Sequence, residues 1–299
     1  MRPDYSADQA EGLRRLLLRD SARMIMVAGA RASLGATSMV VNLATALSLA
    51  GKNVLVLDEN LPQNNSVNML GLYQRYDLLD AVRYRKPMGE IVLRSRQGVS
   101  ILPIARAIRS LPKLSRSERG HLLDCLAEAS NDAEIVLVDA APNTDTGKTP
   151  IALSPGQPLL LVLNATAAAI TGSYALIKRL SMHDSRLSFV VAVNKAHNEN
   201  EAQTVFDNIE RVARHHLRVH VEYLGYIPVD EKLKRATQLR RPVAEIFPDA
   251  AATFAFEEIG RNLMLLPGSR DRNLANLPDA VQQLLVGRSS LQGAALAAY

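Results

Sequence analysis

The sequence predicts an α/β fold, a doubly wound and mostly parallel sheet with helices on both faces. Three observations carry this expectation. Short β-branched or apolar runs alternate with helical patterns along most of the chain. Several of those runs are apolar at every position, as in strands covered on both sides. The composition, 47% hydrophobic and 22% charged over 299 residues, is that of a globular protein able to bury a substantial core. Trp is absent and aromatics total 4%, so that core must be built from Leu, Val, Ile and Ala.

In order along the chain, strands are expected at 24–29, 54–58, 99–104, 135–139, 159–164, 189–194 and 221–227. Helices are expected between and after them, at 37–50, 117–129, 171–182, 200–216, 231–239 and 249–265. No internal repeat or low-complexity tract interrupts this body. Residues 22–266 therefore read as one domain, within the size range of a single α/β unit. Two segments flank it. Residues 1–21 contain a short helix over 8–18, with Asp8 placed to cap it. Residues 267–299 open on the breaker Pro267-Gly268-Ser269-Arg270. Leu277, Val281, Leu284 and Leu285 follow at helical spacing, ahead of an Ala-, Gly- and Ser-rich end.

The lone Cys125 excludes an internal disulfide and, between Leu122, Leu123 and Leu126, reads as a buried helical thiol. Residues 1–19 mix charges with no uninterrupted apolar run, and no 18-residue apolar stretch occurs. A cytoplasmic protein is expected, peripheral at the inner membrane or cell pole at most. The net charge of +5 is modest for this length. Arg240-Arg241 lacks the aromatic interleaving or basic stripe of a nucleic-acid surface. His215, His216 and His220 have no Cys or acidic partners at metal-ligand spacing. The carboxyl-terminal run carries only Asp279 and Arg288 nearby, which favours docking on the body over a membrane surface.

The first strand leads into Gly29-Ala30-Arg31-Ala32-Ser33-Leu34-Gly35-Ala36-Thr37-Ser38 and then a helix. A strand–turn–helix of this kind presents backbone N–H groups and a positive helix end to an anion. Against the phosphate-loop pattern G-x-x-x-x-G-K-[ST], Gly35 and Thr37 match. Ala30 stands in place of the first glycine and Ala36 in place of the lysine.

The surroundings make the match specific. The run Val41-Asn42-Leu43-Ala44, then Gly51-Lys52 ahead of Val54-Leu55-Val56-Leu57-Asp58, resembles the MinD/ParA family of deviant P-loop ATPases. Val136-Leu137-Val138-Asp139, the helix from Thr171 to Lys178, Val193-Asn194-Lys195 and Gly225-Tyr226-Ile227-Pro228-Val229-Asp230 extend the resemblance over roughly residues 22–265. It implies an ATP or ADP site with Mg²⁺ and a nucleotide-dependent homodimer. The implied site comprises Arg31, Gly35, Thr37, Ser38, Asp58, Asp139, Asn194 on the adenine side, Pro228 and Asp230. Thr37 and Asp139 are the implied Mg²⁺ ligands.

The family's chemistry transfers position by position, and several positions depart. Arg31 occupies the place of the family's additional signature lysine, which is donated across the dimer, so a cation survives in longer, planar form. Ala36 removes the principal lysine from the β- and γ-phosphates. Where the family's switch segment reads D-x-D, this chain reads Asp58-Glu59-Asn60, and an amide at Asn60 cannot accept a proton from the attacking water. Ala30, Ala32 and Ser33 stand where the family prefers glycine, and their side chains are expected to oppose its unusual dihedrals. Phosphoryl transfer rests on positioning and charge neutralisation, so hydrolysis is expected to be weak or absent. Nucleotide binding stays open between backbone donors with Thr37 and Arg31 holding an anion, and a relic loop that binds nothing.

Ahead of the first strand, Asp8-Gln9-Ala10-x-x-Leu13-Arg14 resembles the D-Q-A-x-x-L-R element of one branch, the FlhG/FleN (YlxH-like) regulators of flagellar number and placement. The resemblance implies that this helix engages an SRP-type flagellar GTPase (FlhF-like) and stimulates its GTP hydrolysis. Gln9 would approach the partner's nucleotide and act in trans, with Leu13 and Arg14 docking the helix. Glutamine orients water in GTPase sites, and an amphipathic helix supplies an anchoring face. The plainer alternative is a capped helix covering a sheet edge. A flagellar switch-ring protein or a flagellar transcription activator is the further partner implied. A competing function is an active ATPase that positions cargo or partitions DNA, with Arg31 replacing the lysine, and a third is a scaffold with an empty site.

Overall fold

The computed structural model describes residues 22–62, 65–141, 158–183 and 187–266. Among them, eight strands form one sheet: β1 Arg23–Gly29, β2 Val54–Asp58, β3 Leu93–Arg94, β4 Ser100–Pro103, β5 Ile135–Asp139, β6 Pro158–Leu163, β7 Ser188–Ala196 and β8 Val221–Pro228. Their order is β3-β4-β2-β5-β1-β6-β7-β8. Every neighbouring pair is parallel except β3 with β4. The helices are α1 Ala36–Leu49, α2 Ser66–Met69, α3 Leu78–Val82, α4 Ala105–Ser110, α5 Arg116–Ser130, α6 Ala167–His183, α7 Glu199–Leu217, α8 Glu231–Gln238, α9 Val243–Ile246 and α10 Ala251–Leu265. No helix among the described residues is long and apolar enough to cross a membrane.

The two faces follow from the period-2 geometry of a strand. Met24, Met26, Leu55, Leu57, Val136, Val138, Leu159 and Leu161 point to the layer containing α5, α6 and α7. Their alternates Ile25, Val27, Val56, Leu137, Leu160 and Val162 point to the layer of α1 and α10. Because both faces are covered, β2 and β5 are buried at all five of their positions, which is why they read as unbroken apolar runs. Cys125 lies in α5 at 3% exposure, and burial pushes its thiol up to about 11, as expected of an unreactive buried cysteine.

β1 lies between β5 and β6. The chain builds one half of the sheet on one side of β1 and the other half on the opposite side, so the strand order reverses there. Ligands of open α/β sheets sit outside the carboxyl ends of the strands at such a reversal.

The short helices depend on caps rather than on periodicity. Asp77 is fully buried between α3 and α4. Its carboxylate accepts from Leu79 N (3.0 Å), Arg106 N (3.0 Å) and Ala107 N (3.2 Å), so one side chain holds the amino ends of both helices. Asp80 returns a bond to Asp77 N at 3.1 Å, closing a capping box. Truncation in Asp77→Ala strands three backbone donors, two of them buried. The variant is expected to lose about 2–4 kcal/mol in chemical denaturation, more than a single lost cap.

Candidate functional site

The turn from β1 into α1 has the backbone of an anion cradle. Gly35 is the N-cap of α1 with φ 95°, and no side chain caps the helix, so its first N–H groups are left to a ligand or solvent. A Cβ at Gly35 would lie 2.2 Å from Asn194 Nδ2, so only glycine fits. That same Nδ2 donates to the Leu34 carbonyl at 2.8 Å and ties the loop to the end of β7. Asn194, expected on the adenine side, thus uses its amide N–H to shape the loop.

The missing glycines do not prevent this shape, contrary to the sequence expectation. Ser33 takes the left-handed conformation itself at φ 70°, on exposed backbone where its side chain is not crowded. The strain is on the order of 1–2 kcal/mol for a non-glycine residue. Ala30 is accommodated from across the loop. A Cβ on Gly172 in α6 would come within 3.1 Å of the Ala30 Cβ, so the glycine at 172 provides the room that a glycine at 30 would otherwise leave.

Beneath the loop lie two acids. Asp58 and Asp139 are register partners at the ends of β2 and β5, and both are fully buried. Thr37 Oγ1 donates to Asp139 Oδ1 at 3.3 Å, and Ser66 Oγ donates to Asp139 Oδ2 at 2.8 Å. Asp58 Oδ2 accepts from Ser66 N at 2.7 Å and Val67 N at 3.4 Å, and its Oδ1 from Asn60 N at 3.0 Å. Burial pushes Asp58 up to about 6. Burial first, and then the Asp58 charge, holds Asp139 well above the usual carboxylate range.

No group of three or more His, Cys, Asp or Glu suited to a metal occurs among the described residues. Mg²⁺ needs no such cage, because it takes one or two carboxylates and fills its shell with water and phosphate oxygens. The Thr37 hydroxyl on the Asp139 carboxylate is a donor set of that kind. With a nucleotide in the cleft, these two residues would hold the ion, which would supply charge neutralisation at the phosphates.

The segment after β2 is stitched to β5. Glu59 N donates to the Asp139 carbonyl at 3.1 Å, and Asn60 Nδ2 donates to the same oxygen at 3.1 Å. A carboxylate at position 60 could not donate to a carbonyl. The side-chain amide at position 60 is therefore the group that closes this segment.

Above the acids opens a cleft of about 820 Å³. Arg31, Gly35, Thr37 and Ser38 of the loop line it, together with Asn194 at the end of β7 and Pro228 and Asp230 at the end of β8. Seven of the nine expected nucleotide residues thus meet in one cavity, while Asp58 and Asp139 lie below it. Asp230 lines the wall with its oxygens engaged: Oδ1 accepts from Lys232 N at 2.7 Å and Oδ2 from Ala252 N at 2.9 Å, holding the starts of α8 and α10. The cleft also gathers Lys195, Lys234 and Arg240, which the sequence did not single out as ligand residues. Asp8, Gln9, Ala10, Leu13 and Arg14, together with residues 267–299, lie outside the described residues.

The acid pair generates a pH dependence whose sign is set by the raised values. A carboxylate raised on folding contributes stability that is complete below its ordinary range near 3.8 and is lost as pH rises through about 6. Asp139→Asn removes one member of the pair, and the Thr37 and Ser66 hydroxyls can rotate to accept from the new amide. In thermal melts without Mg²⁺, this variant is expected to lose less stability than the wild type between pH 5 and 8, and to melt higher at pH 8.

Comparison with known proteins agrees with this geometry. The family model CobQ/CobB/MinD/ParA nucleotide binding domain matches residues 25–243. The antiactivator FleN of Pseudomonas aeruginosa is 31% identical over 241 residues, covering 81% of this chain and 86% of FleN. The flagellum site-determining protein YlxH of Helicobacter pylori is 22% identical over 245 residues, covering 81% of each chain. Among solved structures, the MinD cell division protein of Aquifex aeolicus superposes with a TM-score of 0.64 at 24% identity, over 81% of this chain and 97% of that one. With a phosphate loop at the switch point of a parallel sheet and paired acids below it, this chain belongs to the CobQ/CobB/MinD/ParA nucleotide-binding family, in the branch of FleN and YlxH.

Proposed function

We propose that this protein is a regulator of flagellar number and assembly that works as a nucleotide-responsive or nucleotide-held platform and acts on an SRP-type flagellar GTPase through its amino-terminal helix. The observation that carries this reading is Asp8-Gln9-Ala10-x-x-Leu13-Arg14, placed directly ahead of β1 in a chain 31% identical to FleN. In this reading Gln9 positions water at the partner's GTP while Leu13 and Arg14 anchor the helix. None of these steps requires the chain to hydrolyse ATP. That FleN is an antiactivator favours a flagellar transcription activator as the output partner over a switch-ring protein.

The cleft supports binding of ATP or ADP with Mg²⁺. Loop N–H groups and Arg31 would take the phosphates, and Thr37 and Asp139 the ion. Hydrolysis is disfavoured because Ala36 offers no charge and Asn60 no base. Each tenfold loss of rate corresponds to about 1.4 kcal/mol of lost transition-state stabilisation. A nucleotide-dependent homodimer belongs to the same reading, with Arg31 exposed at the cleft.

The test is a GTPase assay with the cognate SRP-type GTPase. The full chain and a peptide of residues 1–20 are both expected to raise GTP turnover, and Gln9→Ala to reduce the stimulation by at least about tenfold. If neither full chain nor peptide stimulates, the partner assignment fails.

A second reading, an active ATPase that positions cargo or partitions DNA, is favoured by Arg31, which lines the cleft without a side-chain partner among the described residues. It predicts Mg²⁺-dependent ATP turnover that disappears in Arg31→Ala. No turnover in the wild type excludes it.

A further inference from the structure

The charge of the chain is unevenly placed. Residues 73–119 hold eleven Lys and Arg against four Asp and Glu, a net +7 where the whole chain carries +5. Nine of the eleven are arginine. The fold sharpens the imbalance. Asp77 and Asp80 are buried in the caps of α3 and α4, so Glu90 and Glu118 are the acids of this stretch that reach solvent. Arg94 lies on the edge strand β3, and Arg96 turns to Glu245 at 3.9 Å. The other nine cations lie on or beside α3, α4 and the first turns of α5.

Direct contacts tie these elements into one surface. Arg83 Nε donates to Glu118 at 3.3 Å, joining the end of α3 to α5. Arg106 Nη1 of α4 donates to Asp80 of α3 at 2.9 Å. The Tyr84 ring stacks on His121 of α5, with centroids 3.8 Å apart and planes 6° from parallel, while Tyr84 stays 71% exposed. Lys86 Nζ lies 4.8 Å and Arg75 Cζ 5.3 Å from the centroid of the Tyr76 ring. Arg85, Arg109, Lys113 and Arg116 are exposed, with no ion pair or side-chain hydrogen bond among the described residues. Arg116 also opens α5, the end at which a helix dipole opposes a cation. Nothing within the described domain neutralises these four. None of them lines the nucleotide cleft, so the face is separate from that site.

We propose that the face of α3, α4 and the start of α5 is a docking surface for an acidic segment of a partner protein. Its Asp and Glu side chains pair with Arg85, Arg109, Lys113 and Arg116, and the segment packs on the open Tyr84 ring. Guanidinium groups take carboxylates bidentately, and Arg with Tyr is the composition of protein-interface hot spots. Glu90 and Glu118 hold fixed places among the cations, paired with Lys86 at 2.8 Å and Arg83 at 3.3 Å. A phosphodiester chain or a headgroup layer is negative at every step and meets those carboxylates. A protein segment can place its acids only where the free cations are. A membrane surface also calls for an apolar face to insert, and among residues 74–130 Tyr84 is the one large hydrophobic side chain left exposed. Asp77 holds the starts of both α3 and α4, so the face is organised before anything docks.

The experiment measures binding of the full chain to a labelled short peptide of repeating Glu-Asp-Gly-Leu, to single- and double-stranded DNA of matching charge, and to phosphatidylcholine vesicles containing phosphatidylglycerol. The proteins are wild type, Arg85→Gln with Arg109→Gln, Arg85→Glu with Arg109→Glu, and a control, Arg179→Glu with Arg211→Glu, which makes the same charge change on α6 and α7. Wild type is expected to bind the peptide more tightly than DNA or vesicles, and more weakly as salt rises. Affinity is expected to fall about tenfold in the glutamine variant, the sum of two exposed ion pairs, and further in the glutamate variant. The control should bind as the wild type does. Melting temperatures should not change in the glutamine variant, because both side chains are exposed and unpaired, and that variant decides if the glutamate one fails to fold.

A wild type that does not bind the peptide, or a glutamine variant that binds it equally well, overturns the inference. An equal loss in the control assigns the attraction to net charge alone and overturns it too. Tighter binding of DNA or of vesicles, lost in the same variants, overturns the acidic segment in favour of a nucleic acid or a membrane surface.

Discussion

The turn out of β1 is held from outside itself, and the rest of the site depends on that restraint. β1 and α1 are both buried, so the six residues between them must reverse direction with little freedom to move either end. Asn194, 160 residues further on, supplies the restraint by donating to the Leu34 carbonyl. Its Nδ2 then occupies the space in which a Cβ at Gly35 would sit, which makes glycine obligatory there. With Gly35 left-handed, the first turn of α1 starts uncapped and Thr37 falls above Asp139. The bond also draws the end of β7 to the loop, which brings Lys195 and the β8 residue Pro228 to the wall of the same cleft. One side-chain amide therefore sets the cradle, the hydroxyl–carboxylate pair and the part of the cleft wall beside them.

A second constraint acts from below. Two carboxylates at paired ends of parallel strands cannot both be charged cheaply when neither reaches water. The surrounding donors respond to this. Ser66 serves both acids, its N–H on Asp58 and its hydroxyl on Asp139, and Asn60 contributes an N–H to Asp58 and an amide to the Asp139 backbone. An aspartate at 60 would bring another acid to this buried pair and lose the bond to the carbonyl. In the proposed reading, the missing water-orienting acid and the tight closure of the switch segment come from the same residue, Asn60.

How much of this was legible in the sequence depends on how local its cause is. The seven longer strands and six longer helices announce themselves because burial on one or both faces forces a continuous or periodic apolar pattern, and the structure moves their ends by only a few residues. α6 begins earlier than expected, at Ala167 rather than 171, because Ala167-Ala168-Ala169 continues the helix without adding to its apolar period. β3 and the helices α2, α3, α4 and α9 were not anticipated. Each spans two to six residues, too short for a period, and its position is set by contacts such as the Asp77 double cap or the Asn65 cap of α2. At the site, the loop, Thr37, Asp58 and Asp139 were legible because they follow strands at fixed offsets. Ser66, Lys195 and Arg240 were not, since only the fold brings the first to the two acids and the others to the cleft. Nothing in a run such as Leu239-Arg240-Arg241-Pro242 distinguishes an arginine neutralised by Glu245 from one that faces a cavity unpaired.

In the proposed reading the cradle is kept without a catalytic cation, and the fold gives a physical reason. The fold requires the β1 turn whether or not ATP is cleaved, because the turn connects two buried elements through a geometry that Asn194 and Gly35 already impose. Binding makes a weaker demand than catalysis: it needs net positive charge and unpaired N–H groups, which several residues can supply from different walls. Catalysis needs charge at the transferred phosphoryl group and a base beside the water, and Ala36 and Asn60 leave those two places without a charged group. In that reading, Ala36 and Asn60 would separate binding from turnover without disturbing the sheet. An output carried by residues 8–14, ahead of the first strand, would tolerate that separation, because its chemistry takes place on the partner's nucleotide and needs this domain to present the helix rather than to hydrolyse ATP.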